Sequence, residues 1–302
     1  MLDLQDYLFE KCGFDLKKIL VRPSQAVSLA RDFDPDYTGE LKDKADAEGL
    51  LQHNIALLTE QQDILYANAS QSLLLIFQAL DAAGKDSTIK HVMSGVNPQG
   101  CEVSSFKSPS EEELRHDYLW RTSKRLPEHG RIGIFNRSYY EEVLVTRVHP
   151  ELLARQHLTP KDRGPHLWKR RFDEINNFER YLIHNGTVVL KFFLNVSRKE
   201  QKKRFLKRIE QKEKNWKFSA SDIRERQFWD KYMIAYEEAF AHTSTPWAPW
   251  FVVPADHKWF TRLCVSQIIV ATLKALALKY PKPTKEQLDE LEKAKQELLK
   301  ED

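Results

Sequence analysis

Cysteine is scarce: Cys12, Cys101 and Cys264 are the only three in 302 residues, and no two stand at a spacing that would pair them or ligate a metal. That spacing argues against a disulfide framework and predicts reduced thiols in a cytosolic protein. Long apolar runs are missing too. None approaches the ~20 residues needed to cross a bilayer, and the first six residues, Met1 to Asp6, lack the basic segment and apolar core of a secretory signal. The expectation is a cytoplasmic protein with no membrane partner. Neither sign of charge dominates, since 47 Lys and Arg face 44 Asp and Glu for a net of +3. No global field therefore favours nucleic acid, which is not expected as a partner, and any polyanion must be recognised by a local patch. Internal repeats and low-complexity tracts are absent, and the 10 Gly and 13 Pro are scattered rather than gathered into a linker, which points to one main domain.

What is present is an alternation. Strand-like runs at 72–78, 101–106, 132–135, 187–194 and 250–253 are each followed by a helical pattern, the first three helices starting near 85, 110 and 138. This order predicts an α/β architecture, a parallel sheet of about five strands with helices on both faces and ligands at the strand C-termini. Residues 1–42 read as irregular structure with short helices. Residues 42–66 carry Leu50, Leu51, Ile55, Leu58 and Ile64 at helical spacing. The expected organisation is an N-terminal helical extension over 1–66 packed on the core, a core over 67–282 that includes a lid at about 198–222, and a C-terminal helix over 283–302. That last helix is marked by Leu288, Leu291, Leu298 and Leu299 amid Lys and Glu. Phe228, Trp229, Tyr232, Tyr236 and Phe240 recur at helical spacing and read as core packing rather than a base-stacking surface.

The run Leu73 to Phe77 leads into Asp81-Ala82-Ala83-Gly84-Lys85-Asp86-Ser87-Thr88. A buried strand, a loop of small residues, Gly-Lys and a helix start aim backbone N–H groups and a positive helix terminus at one spot, where Lys85 adds a full charge. The ligand expected there is an anion. The segment departs from G-x-x-x-x-G-K-[ST], with Ala79 in place of the first glycine and Asp86 in place of the hydroxyl. An ordinary βα turn capped by Asp86, with Lys85 in solvent, would use the same residues. Asp81 argues against that simpler reading, because a carboxylate in an anion-attracting loop calls for a divalent cation between it and the phosphate.

A second strand, 131–136, ends in Asn136-Arg137-Ser138-Tyr139-Tyr140-Glu141-Glu142. Asn136 stands where a magnesium-serving aspartate is common, which leaves Asp81 as the metal carboxylate. Arg137 at a strand end beside the loop would neutralise charge on a transferred phosphoryl group, or else pair with Glu141 or Glu142. Arg147 is a further phosphate contact, and His149 before Pro150 reads as a helix-terminal cap rather than a general base. From Arg198 the chain turns strongly basic, and Arg204 and Arg208, four apart, share a helix face as two guanidinium forks of a closing lid would. A solvated face with Glu200, Glu210 and Glu213 as partners is the alternative.

Several of these motifs, in one order over most of the chain, resemble the polyphosphate kinase 2 family. They are Asp81 to Lys85, Val96-Asn97-Pro98-Gln99-Gly100, His116-Asp117-Tyr118-Leu119-Trp120-Arg121, Phe135 to Glu141, Arg147 to Pro150, and Lys214-Asn215-Trp216-Lys217. The resemblance implies a three-layer P-loop kinase fold similar to thymidylate kinase, with a helical lid and extra terminal helices. It implies phosphoryl transfer between inorganic polyphosphate and a nucleotide, with magnesium held by Asp81 and manganese as a substitute, in a homo-oligomer, dimer or tetramer. The residues Asp86 to Thr88 and Asn136 to Glu141 look like the third class, whose members accept AMP and ADP to give ATP; Asn136, Ala79 and Asp86 depart from members with aspartate or glycine there. The implied catalytic group is Asp81, Lys85, Asn136, Arg137 and Glu141. The implied phosphate group is Ala82, Ala83, Gly84, Lys85, Asp86, Ser87 and Thr88, with Arg121, Arg147, Arg204 and Arg208 lining a basic channel. An ATP-dependent nucleoside or nucleotide kinase of the same fold, or a regulatory module that binds nucleotide or polyanion without turnover, would share these features.

Overall fold

A computed structural model describes residues 15–301. Cys12 and the first six residues lie outside them. Six strands form one sheet: β1 (Leu20–Val21), β2 (Ser72–Gln78), β3 (Cys101–Ser105), β4 (Ile132–Asn136), β5 (Thr187–Asn195) and β6 (Trp250–Pro254), in the order β1-β6-β5-β2-β4-β3. β2 to β6 run parallel, whereas β1 pairs antiparallel with β6, Leu20 opposite Phe251. The expected count of about five strands is thus one short. β1 has two residues, too few to show a period, and its place is fixed by a distant partner: the Val252 N–H donates to the Ile19 carbonyl at 2.7 Å.

The longer helices are α1 (Lys44–Asn68), α2 (Lys85–Val92), α3 (Glu141–Val148), α4 (Leu167–His184), α5 (Arg198–Glu210), α6 (Trp229–Thr243), α7 (Lys258–Ala275) and α8 (Lys285–Leu298). α1, α2 and α7 cover one face of the sheet and α3, α4 and α6 the other, and the all-apolar centre of β2 is the consequence. Leu73, Leu75 and Phe77 pack on one side with α1, α2 and α7, while Leu74 and Ile76 pack on the other with α3, α4 and α6. A strand buried on both faces reads as a continuous apolar run because neither side meets water. Tyr232, Tyr236 and Phe240 belong to the second of these cores, as their spacing predicts.

The stripe expected on α1 is only partly realised. Ile55 and Leu58 are buried, but Leu50 is exposed, and the buried face includes Asn54 and Gln62. Asn54 donates to Ser266 Oγ on α7 at 3.1 Å, and Gln62 accepts from the Asn97 N–H at 3.2 Å. The Gln62 amide nitrogen is buried without a partner, so these polar residues stand in a packed face with most, not all, of their hydrogen bonds met, and they blur the periodic signal. α8 leaves Leu288, Leu291 and Leu298 exposed.

In the second core lies a fully buried ion pair. Lys191 of β5 donates to Glu179 of α4 at 2.6 Å, to Tyr140 Oη at 3.0 Å and to the Thr243 carbonyl at 2.7 Å. Tyr139 and Tyr140 each donate to Glu179 at 2.9 Å. Burial pushes the Lys191 ammonium down from its ordinary value, and Glu179 opposes the shift. The network locks the two tyrosines that lead into α3, and so fixes where the chain from Arg137 to Glu141 runs. Lys191→Met should leave Glu179 as an uncompensated buried charge and cost about 3–5 kcal/mol of stability. Urea denaturation checks this, and a loss under about 1 kcal/mol would contradict it.

Candidate active site

β2 and β4 are neighbours in register, Phe77 opposite Asn136, so the two polar turns that follow them meet. After β2 the chain turns sharply. The Ala83 N–H donates to the Leu80 carbonyl, Ala82 has φ +62° and Gly84 has φ +114°. Glycine takes such a conformation freely, but alanine is strained in it by about 1–2 kcal/mol. Helix α2 opens at Lys85, whose Nζ donates to the Ala79 carbonyl at 2.8 Å. Burial, and next the Arg137 guanidinium, lower the Lys85 ammonium to about 8, against the opposing pull of Asp81, Glu141 and Asp86.

After β4, Arg137 also has a left-handed φ of +66°, held by its N–H on the Phe77 carbonyl at 3.0 Å. Its guanidinium donates to Asp81 at 3.0 Å and to Glu141 at 3.5 Å. Pairing with Glu141 was one of the two uses expected of it; Asp81 is an added partner. Burial raises the Glu141 carboxyl above its usual range, with Arg137 and Lys85 opposing. Asn136 donates to Asp86 at 2.7 Å, so Asp86 ties the loop helix to β4 instead of capping α2. All five proposed catalytic residues therefore stand in one contiguous group.

A cavity of about 1040 Å³ opens over the loop. Asp81, Ala82, Gly84, Lys85, Asp86 and Ser87 line it, with Asn136, Arg137 and Arg208. Two expected loop contacts do not: Ala83 is buried, and Thr88 is buried with its N–H committed to the Gly84 carbonyl at 2.9 Å. Three expected arginines are also used elsewhere. Arg121 donates to the Lys107 carbonyl at 2.7 Å and lies between Glu113 and Glu142. Arg147 pairs with Glu238 and sits over Trp168. Arg204 reaches the cavity wall, but its guanidinium binds Glu200 and the carbonyls of Ala82, Ala83, Ala255 and Asp256. Arg208 faces the cavity, held loosely by Asp222 at 3.4 Å.

Much of the positive charge comes instead from lysines not expected as phosphate contacts, Lys107 and Lys258, together with Lys207 and Lys214 of the basic lid segment. Lys107 and Lys258 lie just beyond the C-terminal ends of β3 and β6, the position where parallel sheets gather ligands, and that was the available signal. Burial, then the nearby Arg204, Arg262 and Lys214, lower the Lys258 ammonium to about 8.

A second cavity of about 390 Å³ adjoins the first, and Leu80, Asp81, Ser108, Arg137 and Asp222 line both. Its character is opposite. Glu141, Glu151 and Glu225 join Asp81 and Asp222 around Trp229, Tyr232 and Tyr236, with Arg226 and His149 as the other basic groups. His149 follows α3 as its terminal cap, as expected, and its ring is held by Glu151 at 3.1 Å and Glu225 at 2.9 Å. The Asp81–Arg137 ion pair thus forms the partition between a basic cavity and an acidic, aromatic one. Among the described residues no three His, Cys, Asp or Glu form a ready metal cage. Magnesium needs none when one carboxylate, substrate phosphates and water supply its oxygens, and Asp81, about a third exposed on the partition, fits that donor set.

The family model for polyphosphate kinase 2 matches residues 40–281. The ADP-polyphosphate phosphotransferase of Rhodopseudomonas palustris is 51% identical over 288 residues, 94% of this chain and 98% of that protein. The AMP/ADP-polyphosphate phosphotransferase of Meiothermus ruber is 44% identical over 270 residues, 89% of this chain and 96% of that one. The crystal structure of polyphosphate kinase 2 from Arthrobacter aurescens superimposes with a TM-score of 0.79 at 40% identity, covering 87% of this chain and 93% of that chain.

Lys85 and Lys258 both lose charge as pH rises through about 8, and an anion in the basic cavity would restore it. Tripolyphosphate binding at about pH 8.5 should therefore draw protons to the protein. Lys85→Arg, which stays charged, should shift the net proton exchange toward release. The measurement is the dependence of calorimetric heat on buffer ionisation enthalpy, and identical exchange in the two proteins would contradict the assignment.

Proposed function

The chain belongs to the polyphosphate kinase 2 family, and on that footing we propose that it transfers the terminal phosphoryl group of inorganic polyphosphate to AMP and ADP, giving ADP and ATP, reversibly and with magnesium. The observation that carries this reading is the meeting of two unlike cavities at one ion pair. Polyphosphate is a long anion, and the cavity over the loop presents eight Lys and Arg side chains against three Asp. A chain laid along Lys207, Lys214 and Lys258 would bring its end to the loop N–H groups and Lys85. The acidic, aromatic cavity has the size and the ring surfaces for a nucleoside, and its carboxylates suit the hydroxyls of a ribose and the amino group of a base.

The nucleotide's terminal phosphate would then lie against Arg137. One of its oxygens attacks the terminal phosphorus of the chain, the bond to the next bridging oxygen breaks, and the shortened polyphosphate leaves with the electron pair. An acceptor that is already ionised needs no strong base, which agrees with His149 being held by two carboxylates rather than aimed at the ion pair. Asp81 would hold magnesium, or manganese in its place, and the ion supplies charge that offsets the repulsion of adjoining phosphates. Arg137 stabilises negative charge on the moving group, and Glu141 behind it sets how deeply the acceptor phosphate sits. The reading includes a cytoplasmic homo-oligomer, dimer or tetramer, with no nucleic-acid partner; no described helix is long and apolar enough to cross a membrane.

The test is purified protein with AMP, magnesium and polyphosphate but no ATP. ADP and then ATP should form, and turnover with ATP alone as donor would move the assignment to an ATP-dependent kinase. In the same assay Glu141→Asn should lower kcat/KM for AMP more than for ADP; equal losses would remove Glu141 from acceptor choice.

A further inference from the structure

Arg204 has the sequence position of a phosphate-gripping lid residue, yet its surroundings give it another task. Its guanidinium has five N–H donors and five protein acceptors. Nε donates to Glu200 at 2.9 Å, Nη1 to the Ala82 and Ala83 carbonyls at 3.2 and 2.6 Å, and Nη2 to the Ala255 and Asp256 carbonyls at 2.6 and 3.0 Å. The residue is 7% exposed. One turn back along α5, Gln201 donates to the Asp81 carbonyl at 2.9 Å, so three successive carbonyls of the loop are tied to this helix. A guanidinium in this state has no donor left for a phosphate oxygen, and taking one would strip buried carbonyls of their partners, which is unfavourable.

The three carbonyls explain the anion site. In a trans peptide the C=O of one residue and the N–H of the next point opposite ways. Holding the Asp81 and Ala83 carbonyls against α5 turns the N–H groups of Ala82 and Gly84 away from it, while the Ala83 N–H closes its turn on Leu80. Ala82 sits at the third position of that turn with φ +62°, where glycine is the usual residue. The loop therefore needs an outside hold, and Arg204 provides it on the Ala82 carbonyl itself.

We propose that Arg204 is a positioning residue that clamps the loop in its anion-binding conformation, not a residue that touches phosphate. The proposal rests on the reading that the loop cavity takes the donor's phosphates. Its planar fork spans two loop carbonyls and two carbonyls after β6 at once, which a lysine ammonium cannot do. Arg208, four residues on, faces the cavity and acts as a true phosphate contact.

The experiment compares Arg204→Lys, Arg204→Met and Arg208→Met in the full chain. Without ligand, hydrogen exchange of the loop peptide spanning residues 81–88 should speed up in both Arg204 variants and stay as in the wild type in Arg208→Met; unchanged exchange would overturn the proposal whatever the donor proves to be. With the donor that supports turnover, polyphosphate or ATP, KM for that donor should rise about tenfold or more in both Arg204 variants, with KM for AMP within about twofold. The slope of log donor affinity against log salt should match the wild type for Arg204→Lys and Arg204→Met but become shallower for Arg208→Met, since only a lost phosphate contact changes the number of ions released. A shallower slope for Arg204→Met would make Arg204 a direct contact and overturn the clamp. If Arg204→Met does not fold, Arg204→Lys, which keeps the charge and the stem, still carries the hydrogen-exchange and KM readouts.

Discussion

The ion pair between Asp81 and Arg137 joins the two halves of the site. Each residue comes from a separate strand, and each is aimed by a constrained backbone: Arg137 by a left-handed φ pinned on the Phe77 carbonyl, Asp81 by a loop whose carbonyls are tied to α5. At 3.0 Å and partly exposed, the pair contributes little to stability on its own. Its importance is positional. On one side lies a basic cavity fit for a phosphate chain, on the other an acidic, aromatic cavity fit for a nucleoside. On the proposed reading a phosphoryl group would pass from one cavity to the other beside this pair, and separating the two charges would free a carboxylate for a cation and a guanidinium for an anion.

Around this junction the fold spends its polar interior on fixing geometry. Lys191 and Glu179 bury a full ion pair to hold Tyr139 and Tyr140, and Arg204 buries a guanidinium to hold Ala82 and Ala83. Burying charge is a poor route to stability, because desolvation opposes the Coulomb gain. Its value here is specification, since a satisfied network admits one arrangement of the turns it joins. Both networks sit one step behind the residues that would meet substrate.

The parallel sheet and the loop centre were legible in the sequence because both are local signals. A strand with a five-residue apolar run, small residues and Gly-Lys at a helix start are read within about a dozen positions, and Asp81, Lys85, Asn136, Arg137 and Glu141 do come together. The arginines were harder. Charge on Arg121, Arg147 and Arg204 is visible in the sequence, but their partners are Lys107, Glu238 and carbonyls up to 122 positions away. A buried guanidinium satisfied by backbone looks, in sequence, the same as one waiting for phosphate. β1 was missed for a related reason, since two residues carry no period, and Lys107, Lys207 and Lys258 became significant only once the sheet had placed them on one rim. The second cavity was invisible as a site because its aromatic residues also serve the core.

If Asp81 is shared between Arg137 and a metal, as proposed, the competition can be measured without turnover. Manganese binding to the substrate-free protein, followed by electron paramagnetic resonance, should tighten in Arg137→Met, where the carboxylate loses its competitor, and the gain should vanish when Asp81→Asn is added. Equal affinity in the wild type and Arg137→Met, or a gain that survives Asp81→Asn, would contradict it.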